Sequence, residues 1–327
     1  MRFVARRLGF YLVAAWAAIT INFFIPRLMP GNPVAALLGK YQGLPPDSAR
    51  TLEVEFGIGH QGTLLHQYWI YLGNLFQGNL GVSSSQYPEK VTTVIGQVLP
   101  WTLALVGTAT VIAFLLGTLL GIFAAWRRGG WLDQSLPVAT FMQATPYFFV
   151  GLAAIEVLSV KLGVFPYGGG SAIGLSPGFN WTFLSSAFNH SVLPATTIII
   201  TSFAGWMLTM RNVMITTIGE DYVLAAQAKG LPRRRIIFSY AARNAILPNI
   251  AGFSLAIGYV VAGALLTEYV FSYPGIGLML YNAVTSDDYP LTQGIFLVIS
   301  LAILLACLLA DAVYVLADPR ARTRGSA

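Results

Sequence analysis

Charge is scarce in this sequence. Asp, Glu, Lys and Arg make up only 10% of its 327 residues, against about a quarter in an ordinary soluble domain. Hydrophobic residues make up 56% and the mean hydropathy is +0.67, so integral membrane protein is the first class to test. Cysteine is nearly absent too. Cys307 stands alone in an apolar run, which excludes an intrachain disulfide and a cysteine-rich metal cluster and leaves a packing role. His60, His66 and His190 are too scattered to suggest a zinc site. None of the four lysines lies in G-x-x-x-x-G-K-[ST], and neither H-E-x-x-H nor G-x-S-x-G occurs. The chain therefore has no phosphate-cradling loop and is not expected to hydrolyse ATP itself or to be an enzyme. A net charge of +6 in a soluble protein could suggest nucleic acid; here the question is where the basic residues lie relative to apolar spans.

Six runs are long enough to cross a bilayer core, which takes about 20 helical residues. They cover roughly 8–26, 101–126, 136–160, 192–210, 246–267 and 291–310. Backbone polar groups cannot go unpaired in lipid, so each is expected to be a helix. The first run follows Arg2, Arg6 and Arg7 but is longer than a signal-peptide core of about 7–15 residues, and "NFFIPRLMPG" offers no small-residue cleavage site; a retained span is expected. Fourteen of the nineteen basic residues fall before the first span, between the second and third, between the fourth and fifth, or after the sixth. By the positive-inside rule that side is cytoplasmic, with both termini inside. On the opposite side, 163–190 has no charged residue and 268–290 has only Glu268, Asp287 and Asp288.

The expected organisation is an N-terminal transmembrane helix (1–27), an extracytoplasmic segment (28–100), a five-helix core (101–318) containing a cytoplasmic loop (211–245), and a tail (319–327). The external segment holds helix-like "DSARTLEVEF" and "LHQYWIYLGNLFQG" between Gly and Pro turns. No low-complexity tract or internal repeat stands out. Gly117 and Gly121 in "GTLLG" form a small-xxx-small pattern that lets helix backbones approach, and the fifth run has Gly252, Gly258 and Gly263. Pro146, Pro194 and Pro248 are expected to bend helices or set the angles at which they start. Glu156 is the one carboxylate well inside a span, which makes it a candidate for the pathway or for gating against the plainer role of an interhelical hydrogen bond. Its nearest base, Lys161, is five residues on, off the helical spacing. Asp311, at the end of the sixth run, reads as structural.

The segment "AAQAKGLPRRRIIFSYAARNAILPNI", 225–250, has five basic residues and no acid. Burying five such charges at mid-bilayer would cost roughly 12 kcal/mol, so the segment belongs outside the core. Gly230 and Pro232 form a helix stop, and Pro232 can open a second helix. A connection of about 35 residues is far longer than neighbouring spans need. Ala225, Ala226 and Ala228 give its first helix a small face that a partner's groove could approach; a basic loop resting on anionic headgroups accounts for the charges equally well.

Ala225, Ala226 and Gly230 match the "A-A-x-x-x-G" of the EAA loop of membrane subunits of ATP-binding-cassette importers, and Leu247 and Pro248 match its terminal "L-P". Leu224 stands where Glu is usual, and Pro248 follows Gly230 by 18 residues where 13 is usual. The variant "A-x-A-K-G-L-P…R-N-A-I-L-P" resembles the oligopeptide, dipeptide and nickel permease branch. "PGNPV" (30–34), "GNLGVS" (78–83), "EYVFSYPGIG" (268–277), "DDYP" (287–290) and "ADPRAR" (317–322) resemble further stretches of that branch, in order and almost end to end.

The resemblance implies an all-α integral membrane protein with six transmembrane helices and the type I importer permease fold. It also implies a loop helix that seats in a groove of a separate ATPase through Ala225, Ala226, Lys229 and Gly230, supported by Arg233, Arg234 and Arg235. The implied partners are a second, homologous permease subunit, two ATP-binding subunits that hold ATP and Mg, an extracytoplasmic solute-binding protein and membrane lipids, with no nucleic acid. This chain would carry no cofactor and would lie in a bacterial-type inner membrane. A nickel-type importer on the same scaffold is the nearest alternative. An ion-coupled secondary transporter would need repeated halves or paired intramembrane ionisable groups, and a scaffold protein would leave the ordered motifs unexplained.

Overall fold

The computed structural model describes residues 2–28 and 63–317. "DSARTLEVEF", "PGNPV", all but the first residue of "ADPRAR" and the tail 319–327 lie outside the described residues. Four helices are long and apolar enough to cross a membrane, or five if one bent pair counts as a single span. The first, second, fourth and sixth expected spans appear as Arg7–Ile25, Val91–Trp126, Trp181–Ile218 and Tyr289–Asp311.

The other two expected spans need correction. In place of one helix over 136–160, Trp131–Ala144 and Tyr147–Lys161 meet at 94°. The cause is local: Pro146 cannot continue the preceding turn, and it forces Thr145 into extended backbone (φ −81, ψ 124). The fifth helix, Leu247–Val260, stops at 14 residues, about 21 Å at 1.5 Å per residue and short of a bilayer core. The apolar run goes on, but Gly263 takes φ +72, where a helix cannot continue. Pro194 sits inside the continuous 38-residue helix Trp181–Ile218 rather than near a span's start.

The chain divides into two compact units. The first comprises residues 1–102, 261–269 and 274–305. Val91, Val94, Ile95 and Val98 recur at helical spacing on one face and pack with Ile276, Leu280, Ala283, Leu291 and Ile295. Phe23 in the first helix meets Tyr68 and Tyr71 of Leu64–Phe76, with ring centroids 5.2 and 5.6 Å apart. Asn22 and Gln293 exchange side-chain-to-carbonyl hydrogen bonds, each 3.0 Å, tying the first and last long helices.

The second unit comprises 103–260, 270–273 and 306–327. Its axis is the crossing of Thr108–Trp126 with Trp181–Ile218. A Cβ on Gly121 would stand 2.6 Å from the Met207 carbonyl oxygen and 2.7 Å from Met210 Cβ, and one on Gly117 would stand 2.6 Å from Trp206 Cβ. The small-xxx-small pair therefore sets how closely these backbones approach. Leu247–Val260 joins through the stacked rings of Phe114 and Phe253, 4.3 Å apart. Asn249 joins it too, donating to Thr118 Oγ1 (3.0 Å) and the Trp206 carbonyl (3.2 Å).

Candidate functional site

The basic loop begins where Trp181–Ile218 ends. After Gly219 and Glu220, the eight-residue helix Asp221–Ala228 opens with an acid in its first turn, which favours the helix dipole. Its end is a complete glycine cap. Gly230 takes φ +71, its N–H donates to the Gln227 carbonyl (2.9 Å), and the Leu231 N–H reaches back to the Ala226 carbonyl (3.4 Å). Leu231 then packs against the cluster that contains Ala226, the apolar contact that accompanies this motif. Pro232 starts the next helical stretch, Arg233–Ala245, which widens into a π-helix over Ile236–Ala242. The sequence "AxAKGLP" is thus one turn-making unit: small residue, left-handed glycine, apolar clasp and proline.

The loop is fastened from below. Val223 and Ala226 are buried with Ile122, Ala125, Met210, Met214, Ile236, Ile237 and Ala241. Ala226, expected among the residues offered to a partner, faces inward and holds the helix to its own unit. Ala225, Lys229, Gly230, Arg233, Arg234 and Arg235 are exposed, as are Tyr222, Leu224 and Ala228. Two polar ties that sequence reasoning missed brace the same end. Arg211 places Nη2 2.7 Å and Nε 2.9 Å from Asp133 Oδ1, and Asp133 Oδ2 accepts from the Gly129 N–H (2.9 Å). Asn244 donates to the Tyr222 hydroxyl (2.9 Å).

Glu156 lies in the π-helix Ile155–Lys161. That winding brings i and i+5 together, so Lys161, five residues on, is its partner after all, with Nζ 3.2 Å from Oε1. Both side chains are more than half exposed.

The first unit buries two other carboxylates, neither of which the sequence reading selected. Glu268 is fully buried. Its Oε1 accepts from Thr102 Oγ1 (2.8 Å), and its Oε2 from the N–H groups of Gly277 (2.6 Å) and Leu278 (3.3 Å). Thr102 Oγ1 in turn accepts from the Ile276 N–H (2.7 Å). The first three N–H donors of helix Ile276–Thr285 are thereby satisfied by one acid and one hydroxyl, with the negative group at the positive end of the dipole. A side chain on Gly275 would collide with this carboxylate, which explains the glycine in "SYPGIG". Burial pushes the Glu268 carboxyl above its ordinary value, opposed by the hydrogen bonds from Thr102, Gly277 and Leu278.

Asp288 is also fully buried. Its Oδ2 accepts from Ser83 Oγ (2.5 Å), Ser85 Oγ (2.7 Å) and the Ser85 N–H (2.9 Å), while Oδ1 caps the last long helix by accepting from the Leu291 N–H (3.0 Å). This joins "GNLGVS" to "DDYP" across some 200 residues. The available sequence signal was the acid directly before Tyr-Pro at a helix start.

Two buried acidic helix caps and an anchored glycine-capped loop are the built polar features of the two units, and no cluster of three or more His, Cys, Asp or Glu could hold a metal among the described residues. Residues 117–323 match the family model of the binding-protein-dependent transport system inner membrane component. The chain belongs to that family. This inner membrane component is 35% identical to a di/tripeptide transport system permease protein of Pseudomonas aeruginosa, over 98% of this chain and 99% of that protein. It is 31% identical to a dipeptide transport system permease protein of Escherichia coli, over 98% and 99%, and 30% identical to an oligopeptide transport system permease protein of Bacillus subtilis, over 92% of each. The match to the family model takes in the basic loop and "DDYP" but starts after "GNLGVS", whereas the alignments with these permeases run nearly end to end.

Proposed function

We propose that this chain is one permease subunit of an ATP-driven peptide importer, forming half of a translocation pathway with a second, homologous permease. Its relatives named for di-, tri- and oligopeptide transport support the substrate class. Energy comes from two separate ATP-binding subunits, and an extracytoplasmic binding protein delivers the peptide. The basic loop faces the cytoplasm, as the distribution of Lys and Arg supports.

The observation that carries this reading is the division of labour in Asp221–Ala228. Val223 and Ala226 anchor the helix to the second unit, while Tyr222, Leu224, Ala225, Ala228 and Lys229 stay exposed. A helix held on one side and bare on the other suits transmission of force: an ATPase that closes on nucleotide moves the helix, and the buried cluster carries that movement to the span ends. The loop is then a two-state element biased by a partner's differential affinity.

Gly230→Trp tests it. A Cβ at Gly230 meets nothing within 4 Å, so the indole has room to project from the loop, against the backbone strain of about 1–2 kcal/mol that a side chain carries at φ +71. The variant should reach the membrane, keep its fold, and lose peptide uptake and co-purification of the ATPase. Normal uptake together with normal ATPase recovery would remove the coupling assignment.

A further inference from the structure

At the Arg-rich end of the second unit, a cavity of about 620 Å³ lies between residues 123–132 and 233–238. Arg127, Arg233 and Arg234 line it, and no acid does. The nearest acid in sequence, Asp133, is engaged by Arg211 and the Gly129 N–H. No ion pair joins the three lining arginines to a carboxylate among the described residues. The rest of the wall is aromatic and aliphatic, including Trp126, Trp131 and Phe238, with Trp131 76% exposed.

The position of the cavity matters as much as its charge. Trp126 is the last residue of the candidate span Val91–Trp126, and Trp131 the first of the bent apolar pair. Tryptophan at span ends marks the level of lipid headgroups. Guanidinium groups gathered there repel one another until an anion lies between them, and their planar forks match phosphate oxygens. A free phosphate would answer the arginines but leave the exposed Trp131 and Phe238 rings in water. A phosphodiester carrying acyl chains answers both.

We propose that this cavity binds one anionic phospholipid, with its headgroup phosphate on Arg127, Arg233 and Arg234 and its acyl chains along Trp131 and Phe238. Ile237 links the site to the loop, since it lines the cavity and also belongs to the buried cluster beneath Asp221–Ala228. A bound lipid would brace the stretch that follows the Gly230 turn.

The test uses the full chain in nanodiscs of phosphatidylcholine containing a minor fraction of phosphatidylglycerol, with native mass spectrometry counting retained lipids. The expected result is selective retention of phosphatidylglycerol, weakened roughly thirtyfold in the double variant Arg233→Gln/Arg234→Gln, on about a tenfold effect per 1.4 kcal/mol and about 1 kcal/mol per basic residue. Arg243→Gln, which removes an exposed charge of the same segment outside the cavity, should leave retention unchanged. Brominated phosphatidylglycerol should quench Trp126 and Trp131 fluorescence more than brominated phosphatidylcholine does, and Trp131→Phe should diminish that difference. Equal retention of the two lipids, or equal loss in Arg243→Gln, would overturn the site. Displacement of the lipid by inorganic phosphate would make it a free-anion site, and its absence from the complex assembled with ATPase subunits would assign the face to a protein partner; either outcome rejects the lipid.

Discussion

Two carboxylates decide more at the residue scale than the one the sequence drew attention to. Glu156 stood out because it interrupts an apolar run, yet it lies on a surface with Lys161; Glu268 and Asp288 looked like loop charges and are fully buried. Hydropathy reads local polarity, whereas burial of these acids depends on Thr102, Ser83 and Ser85, which lie some 170 to 200 residues away in sequence. Removing Asp288 in Asp288→Ala leaves two hydroxyls and two N–H groups without their acceptor. With about 1 kcal/mol for the lost cap and about 1–3 kcal/mol for stranded donors, a loss near 3 kcal/mol is expected, read as a lower unfolding midpoint in detergent; a shift no larger than that of a surface substitution would show that the serines find other acceptors. Glu268 gives a pH signature. Its folded pKa is raised by burial, so its stabilising contribution is complete below the unfolded value and is lost as pH rises through the folded one. Glu268→Gln keeps the shape and cannot ionise. Wild type should therefore lose stability relative to this variant as pH climbs above the ordinary carboxylate range, and a difference that stays flat with pH would contradict the burial argument.

Among the elements, the glycine-capped loop was the most legible. Gly230 and Pro232 announced a stop, and the structure supplies the left-handed φ and both backward hydrogen bonds. The inward turn of Ala226 was not legible, because eight residues, with Tyr222 and Leu224 exposed and Val223 and Ala226 buried, show no apolar periodicity to reveal the buried face. The spans show the same limit. Composition located all six apolar runs, but it could not say that Thr145 and Pro146 bend one through 94° or that Gly263 ends another. The "GTLLG" pair was read correctly, since close approach needs only the absence of Cβ. That invites a contrast of sign between two helical glycines. Gly121→Ala forces a Cβ within 2.6 Å of the Met207 carbonyl oxygen and should cost about 1–3 kcal/mol through overpacking. Gly96→Ala, where a Cβ meets nothing within 4 Å, should be neutral or gain about 0.5–1 kcal/mol from helix propensity. Unfolding midpoints of the two purified variants give the comparison, and equal effects would mean that the helix crossing yields.

For the whole molecule, function depends on which way the chain threads the membrane, because a loop that docks an ATPase must lie where ATP is. Fourteen of nineteen basic residues mark one side, whereas 163–190 carries no charge at all. Moving an arginine-rich loop across the bilayer is costly enough that this asymmetry should fix the topology. Cysteine scarcity makes it measurable, since replacing Cys307 with Ser leaves a background without thiols. In that background, Ser176→Cys tests the uncharged connection and Ser239→Cys the basic loop, both at exposed positions. A membrane-impermeant maleimide added to intact spheroplasts should label the first and spare the second, and permeabilised cells should show both labelled. The reverse pattern would place Asp221–Ala228 outside, beyond reach of any cytoplasmic ATPase, and would sink the coupling proposal while leaving family membership and fold untouched. Because this chain carries no phosphate-cradling loop of its own, the coupling proposal stands or falls with the orientation of that one exposed helix.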